Sequence, residues 1–343
     1  MEILKIDGSF GEGGGQILRS AITLACITKT PIQIENIRNN RKTPGLRAQH
    51  LTTIKLLAKI CTAKVEGLQI GSISLKFVPN EIQNMQLQEN VGTAGSIPLI
   101  LQAVIPAVSL TKKKLTLSIT GGTDVPWSPT TNYTKHVLTE AYSRIGINFS
   151  MKIRKRGYYP KGGGLVELDV FPCEKIYPIT LSKRTQKDAK IICSYSKVSA
   201  NEISEGINGI KNALEKKGFS AQIEINEENA IDSGSSLLIF SHDSNSVNGA
   251  DELFDIKRQS EFGKKSAATF VECDFGVDSH LSDMLIVPLS LCKELSIFTV
   301  KEISKHLETN LYITSKITGC KYGVGKIDGG FEVRIRGNSE SSV

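Results

Sequence analysis

The sequence predicts an α+β fold in which a unit of helix and strand repeats and a small α/β domain is inserted, and three observations carry that reading. A glycine turn feeding an apolar helix occurs three times, as GEGGGQILR (11–19), GTAGSIPLILQ (92–102) and GVDSHLSDMLIVPLSL (276–291). Each copy is followed, directly or after a second helix, by alternating strands such as LTLSI (115–119) and FEVRI (331–335). Between them the texture changes: residues 181–273 are richer in Lys, Glu, Ser and Asn and poor in glycine loops. The predicted division is a discontinuous repeat domain of residues 1–180 and 274–343 with an inserted domain at 181–273, and 343 residues suffice for both.

The chain opens on a short strand, MEILKIDG, and runs into DGSFGEGGGQILR (7–19), which holds five glycines. Glycine reaches φ > 0 without steric cost, so this run can turn successive N–H groups inward as an anion nest. Ile17, Leu18, Ala21, Ile22 and Ala25 then follow helical spacing, and the free N–H groups of a helix start also favour an anion. Glu12 inside the turn repels a bare phosphate, a conflict that a divalent cation, Mg or Mn, between them would remove. A tight strand-to-helix turn with a solvated Glu12 accounts for the same residues. Neither common nucleotide loop is present: no Lys-Ser/Thr pair follows the glycines, and Gln16 takes the third glycine position of GxGxxG.

Residues 31–37 alternate as a strand and lead to RNNRKTPGLRAQH (38–50), where Arg38, Arg41, Lys42 and Arg47 crowd a Pro44-Gly45 turn. With no acid among them they repel one another unless solvated or facing an anion, and arginine forks suit phosphate. A helix through Leu51, Ile54, Leu57 and Ile60 puts Gln49 and His50 in its first turns. Residues 91–111 carry no charge, yet Gly92, Gly95, Ser96, Pro98, Gln102 and Pro106 make this a glycine turn with a buried helix rather than a membrane span. GGTDVPWSPTTNY (121–133) holds the only Trp; Ser128 reads as an N-cap with Pro129 at N1, ahead of a stripe of Tyr133, Val137, Ala141 and Ile145. RGYYPKGGG (156–164) follows, with Arg156 and Lys161 around two tyrosines that either stack on a base or fill the core.

Within the inserted segment, helices are predicted near 200–217 and 260–272 and strands at 221–225 and 235–240. Near the C-terminus TVKE (299–302) reads as a capping box starting a short helix with Val300, Ile303 and Leu307 inward, His306 standing on its flank at the helix end before Asn310. His306 is one of five histidines, and residue type and periodicity alone do not select among them.

Composition narrows the class. The chain is 40% hydrophobic and 22% charged with a net charge of +7, which suits a soluble globular protein with a mild lean toward a polyanion. Seven cysteines without a CxxC, set in apolar surroundings, suit reduced thiols and a cytoplasmic location, and MEILKIDG lacks a signal-peptide pattern.

Taken together, GEGGGQILR, RxxRxxPGLxxQH, GTAGS, GGTD, RGYYPKGGG, HLSD and HLxTN resemble the RNA 3′-terminal phosphate cyclase family. The resemblance runs from Asp7 to about Arg336. It implies three βαβαββ-type repeats, related to the enolpyruvyl transferases, with a smaller thioredoxin-like domain inserted. It also implies a reaction: conversion of an RNA 3′-phosphate to a 2′,3′-cyclic phosphate using ATP, through a histidine-AMP intermediate, with release of AMP and diphosphate. The family's HLxTN motif selects His306 as the histidine that carries AMP. Glu12 matches the family's metal-contacting acid, and Arg19, Arg38, Arg41 and Gln49 match its terminal-phosphate region. Gln102, Pro129 and the segment His280, Leu281, Ser282, Asp283, Met284 match its ATP site. Here HLSDM stands where many relatives have LADQ, and Met284 cannot replace the hydrogen bonds of a glutamine. Two other classes share part of the pattern. One is a non-catalytic cyclase-like protein of ribosomal RNA processing, which His306 in its motif argues against. The other is an enolpyruvyl transferase-like enzyme, which needs no nucleophilic histidine.

Overall fold

The computed structural model describes residues 2–254 and 262–338. Alternation builds the strands: Leu115, Leu117 and Ile119 bury one face of their strand, and Val166, Leu168 and Val170 bury the same face of its neighbour. A first sheet contains β1 (Leu4–Asp7), β2 (Ile32–Glu35), β3 (Lys64–Glu66) and β4 (Leu75–Val78) in the order β1-β2-β4-β3. A second contains β5 (Met85–Asn90), β6 (Leu115–Gly121), β7 (Phe149–Lys155) and β8 (Gly164–Val170) in the order β5-β6-β8-β7. After β9 (Thr180–Leu181) the chain makes a sheet of β10 (Asp188–Ser196), β11 (Ser220–Glu227), β12 (Gly234–Asp243) and β13 (Ser246–Leu253), ordered β11-β10-β12-β13. It then returns to β9 with β14 (Ser296–Val300), β15 (Lys321–Ile327) and β16 (Gly330–Arg336), in the order β9-β14-β16-β15. In three of the four sheets the first two strands are parallel, and the last strand in sequence lies antiparallel between the second and third.

The helices are α1 (Gly15–Thr28), α2 (Ala48–Cys61), α3 (Ile97–Ser109), α4 (Thr131–Tyr133), α5 (Thr139–Arg144), α6 (Ala200–Glu215), α7 (Lys264–Glu272), α8 (Ser279–Met284), α9 (Ile286–Leu289) and α10 (Lys305–Thr318). A π-helical turn, Thr134–Leu138, joins α4 to α5. Every residue from Gln16 to Ile27 is buried, so α1 is a central helix, packed by α2, α3 and α10. Each of its buried Ile and Leu side chains stabilises the fold by about 1.5–3 kcal/mol, and the side chains at its N-terminal end are therefore held in fixed places. One apolar core runs through α1, α2, α3 and the flanking sheets. Around β10–β13 a second forms, where Ile203, Ile207, Ile210 and Leu214 of α6 meet Ile191, Leu237, Ile239 and Phe270. The thirteen residues of α3 extend about 20 Å, short of a ~30 Å hydrocarbon layer. No helix among the described residues is long and apolar enough to cross a membrane.

Several local readings change. Thr299 and Val300 belong to β14 rather than to a capping box. The helix cap is Ser304, whose hydroxyl accepts the Leu307 N–H at 3.1 Å, because pairing with β16 claims the backbone of 296–300 first. His306 therefore lies in the first turn of a fourteen-residue helix, not at its end. Likewise Thr130, not Ser128, caps α4, and the Ser128 hydroxyl instead lies 2.5 Å from that of Ser96. In residues 181–273 the sequence reading missed β10 and β13, although the helix near 200–217 and strands at 221–225 and 235–240 are present. Ser260 and Glu261 of the helix expected near 260–272 lie outside the described residues, and its visible part is α7.

Candidate active site

The glycine turn after β1 is folded by Gly11 (φ +63°) and Gly13 (φ +59°), left-handed conformations that a side chain resists. A Cβ on Gly11 would collide with Thr309 Oγ1, so only glycine lets the turn lie flat on α10. Glu12 N–H donates to that hydroxyl at 3.3 Å, and Phe10 stacks on Tyr312 with ring centroids 3.8 Å apart. These contacts aim the Glu12 carboxylate between the Arg41 guanidinium and the His306 ring. Oε1 pairs with the Arg41 guanidinium. Oε2 is 3.0 Å from His306 Nδ1 yet buried without an aligned hydrogen bond. The arginine cluster of 38–47 thus meets an acid supplied by the neighbouring turn.

His306 is 47% exposed at the N-terminus of α10, where free N–H groups and the helix dipole favour negative charge. Partial burial lowers its pKa below the usual histidine value; Arg19 and Arg41 add to this and Asp283 opposes it. The imidazole is therefore neutral at neutral pH, with one nitrogen beside Glu12 and the other free of hydrogen bonds among the described residues.

Beside it, the first turns of α1 carry Gln16 and Arg19, which hydrogen-bond to each other. Burial lowers Arg19 to about 10, with Asp283 opposing, and its Nε has no partner. A Cβ on Gly15 would collide with His50 Nε2. His50 accepts the Arg47 N–H on Nδ1 at 3.1 Å, and burial with Arg19, Arg38 and Arg47 holds it near 3, so it is neutral. Arg19, Gln102, Asp283, Met284, Gln16 and Asn310 line one small cavity. Asn310 ties its walls together, accepting from Ser20 Oγ at 2.6 Å and donating to the Asp283 carbonyl at 2.8 Å. Burial raises Asp283 to about 6 against the pull of His306, His280 and Arg19.

The short helix α8 is set by Asp278, which accepts the N–H groups of His280 and Leu281 at 2.9 and 3.0 Å. The same carboxylate takes the Tyr133 hydroxyl at 2.8 Å and Gly249 N–H at 2.8 Å. His280 lies edge-on to Tyr133. Pro129 precedes Thr130, whose N–H donates to Asp251; burial raises Asp251, with His280 opposing.

The predicted residues thus fall into groups. Glu12 touches both Arg41 and His306. Arg19, Gln102, Asp283 and Met284 share the cavity. Gln49 packs beside Gly95 of the second glycine turn. Arg38 faces its own loop, donating to the carbonyls of Thr43 and Gly45 at 3.0 Å each. Leu281 and Ser282 are buried within α8, the serine bonding back to Ser279 O. Sequence reasoning missed Gln16, Tyr133, Asp251, Asp278 and Asn310. Asp278 carried a signal, since an Asp two residues before His280 is an N-cap pattern; Asn310 carried another as the last letter of HLxTN. The basic reading of Arg156 changes. It is 3% exposed and bonded to Asp124, Glu228, Asn132 and Ser194, which buries its charge inside the fold, away from an anion in solvent.

No group of three or more His, Cys, Asp or Glu side chains among the described residues is arranged to hold a metal by itself. The orphaned Oε2 of Glu12 nevertheless fits a divalent cation that takes its other ligands from nucleotide phosphates and water.

Fold and cleft define a class: an α+β protein that sets arginines, an acid and a neutral histidine around glycine turns and a helix start, the groups suited to phosphoryl ligands. The family described as RNA 3′-terminal phosphate cyclase matches residues 10–324. A protein of that name from Korarchaeum cryptofilum is 36% identical, the match covering 95% of this chain and 96% of that protein. The one from Methanosarcina barkeri is 36% identical over 97% and 100%, and that from Pyrococcus furiosus is 37% identical over 94% and 96%. The chain belongs to the RNA 3′-terminal phosphate cyclase family.

Proposed function

We propose that this chain is an ATP-dependent RNA 3′-terminal phosphate cyclase, a ligase of RNA processing that closes a 3′-phosphate onto the neighbouring 2′-oxygen. The observation that carries the reading is the 3.0 Å approach of His306 Nδ1 to Glu12 Oε2, which sets one side of the ring against the acid and leaves Nε2 as the nucleophile. Nε2 attacks the α-phosphorus of ATP, the bond to the bridging oxygen breaks, and diphosphate leaves. An oxygen of the RNA 3′-phosphate then attacks the phosphorus of the histidine adenylate, and the P–N bond breaks to return neutral imidazole with its proton on Nδ1. Finally the 2′-hydroxyl attacks the activated 3′-phosphorus, its proton passes to solvent, and the bond to AMP breaks. Activation is required because a phosphate monoester has no adequate leaving group.

Each group has a place in this reading. The N-terminus of α10 stabilises the phosphoryl charge on His306. Glu12 would hold a Mg or Mn ion through its carboxylate, whose Oε2 lacks an aligned partner, and that ion would supply charge neutralisation for the nucleotide phosphates. Arg19, Arg38, Arg41 and Gln49 receive the RNA terminus. Gln102, Pro129 and the α8 segment His280, Leu281, Ser282, Asp283 and Met284 receive ATP. In this reading the three sheets of one strand pattern are three βαβαββ repeats, and residues 181–273, which begin on the last residue of β9, are a thioredoxin-like insertion. The seven free, buried cysteines suit a reducing cytoplasm.

The test is a reaction of the full chain with ATP, Mg or Mn, and an oligoribonucleotide ending in a 3′-phosphate. A phosphatase-resistant terminus formed with AMP and diphosphate in equal amounts supports the reading. A terminus that stays phosphatase-sensitive overturns it.

A further inference from the structure

Trp127 is the only tryptophan of the chain, and it is 96% exposed. It also has φ +63°, a left-handed conformation that is unfavourable for a bulky side chain. An indole left in water gains nothing from burial on folding, and its left-handed backbone costs stability. Such strain persists only where the surroundings impose it, and it concentrates at functional positions.

The surroundings here are rigid. On one side Asp124 accepts from Thr131 N–H at 3.2 Å and from Arg156 at 3.1 Å. On the other, Ser128 Oγ meets Ser96 Oγ at 2.5 Å at the cap of α3, and Thr130 N–H is held by Asp251. Thr123 N–H donates to Gly157 O at 2.8 Å, which joins the loop to the RGYYPKGGG hairpin. Of the aromatics in that hairpin, Tyr158 is buried with its hydroxyl on Ser194 O and is no platform. The loop that carries Pro129 thus fixes the Trp127 backbone from both sides and holds its indole out into solvent two residues away.

We propose that Trp127 is a stacking platform for a nucleobase of the single-stranded RNA that leads to the 3′-phosphate. An exposed π-face carried on a fixed backbone binds bases of any identity, which suits an enzyme acting on an end rather than on a sequence. The adenine of ATP offers the same chemistry, but a small ligand is enclosed by its pocket, whereas Trp127 stands almost wholly in water. A polymer that continues out of the cleft is the occupant that reaches it.

The inference rests on the proposed cyclase activity, and the experiment separates the two. Because Trp127 is the sole indole, intrinsic tryptophan fluorescence of the full chain reports on this position alone. The protein is titrated with a 3′-phosphorylated oligoribonucleotide, with the same oligomer lacking its bases upstream of the terminus, and with a non-hydrolysable ATP analogue. Quenching by the first and not by the other two is expected. Trp127→Ala, checked for folding by circular dichroism, should weaken RNA binding roughly 5- to 150-fold, and Trp127→Phe should restore most of it. Equal quenching by the base-free oligomer, quenching by the ATP analogue alone, or unchanged RNA affinity in Trp127→Ala overturns the inference. If the wild-type chain takes up no AMP from ATP while the RNA quench persists, the activity reading fails and the platform stands.

Discussion

Oε2 of Glu12 lies 3.0 Å from Nδ1 of His306, so a turn near the start of the sequence completes the surroundings of a histidine near its end. That carboxylate also pairs with Arg41. Glu12→Gln keeps the size of the side chain and removes its charge. AMP transfer to the protein should slow roughly 10- to 100-fold, and more metal should be needed for half-maximal rate. A wild-type metal titration in the mutant would leave Glu12 a turn residue.

Gly11 and Gly92 both have left-handed backbones, at φ +63° and +72°. A methyl group on Gly11 collides with Thr309 Oγ1, whereas one on Gly92 meets open space. Gly11→Ala should therefore lower stability by about 1–3 kcal/mol more than Gly92→Ala, read from urea midpoints at equal slope. Equal losses would mean that the turn does not rest on α10.

Arg38 and Arg41 are both assigned to the RNA terminus, but their present partners differ. Replacing either by Ala should reduce the preference for a 3′-phosphate end over a 3′-hydroxyl end in a binding assay. Arg38→Ala should in addition lower the melting temperature, because it strands the carbonyls of Thr43 and Gly45. Arg41→Ala should not, since its exposed pairing with Glu12 contributes little to folding.

His50 provides a pH signature. Its folded pKa is held near 3, by burial first and then by Arg19, Arg38 and Arg47, against about 6.5 unfolded. A depressed pKa contributes stability that is complete above the unfolded value and is lost as pH falls toward the folded one. Between about pH 6.5 and 3, protonation of the unfolded chain at this residue should cost up to ~4–5 kcal/mol of stability. His50→Gln should flatten that part of the stability curve in urea titrations. A parallel curve displaced at every pH would show that His50 does not titrate with unfolding.

Much of this arrangement was legible beforehand. The glycine turn, the apolar stripe of α1 and the alternation in β6 and β16 are local patterns, and local geometry follows from them. The helix start at Ser304 was not, because TVKE satisfies a capping box in isolation and only pairing with β16 draws Thr299 and Val300 into a strand. Partners distant in sequence were equally hidden. Nothing in 38–50 reveals that Arg41 meets Glu12, or that Arg156 spends its donors on Asp124, Glu228, Asn132 and Ser194. The choice of His306 among five histidines came from resemblance, and its location at a helix start beside an acid is a feature that periodicity did not reveal.

The central claim is that His306 carries AMP, and ATP labelled at the α-phosphate tests it most directly. The wild-type chain, incubated with labelled ATP and Mg or Mn and kept alkaline through digestion and peptide mass spectrometry, should hold acid-labile AMP on His306. His306→Ala should hold none and should not cyclise RNA from ATP, yet should still close an oligomer whose 3′ end is already adenylylated, since that step needs only positioning and charge stabilisation. AMP found on His280 or on a lysine, or undiminished labelling of His306→Ala, would contradict the account.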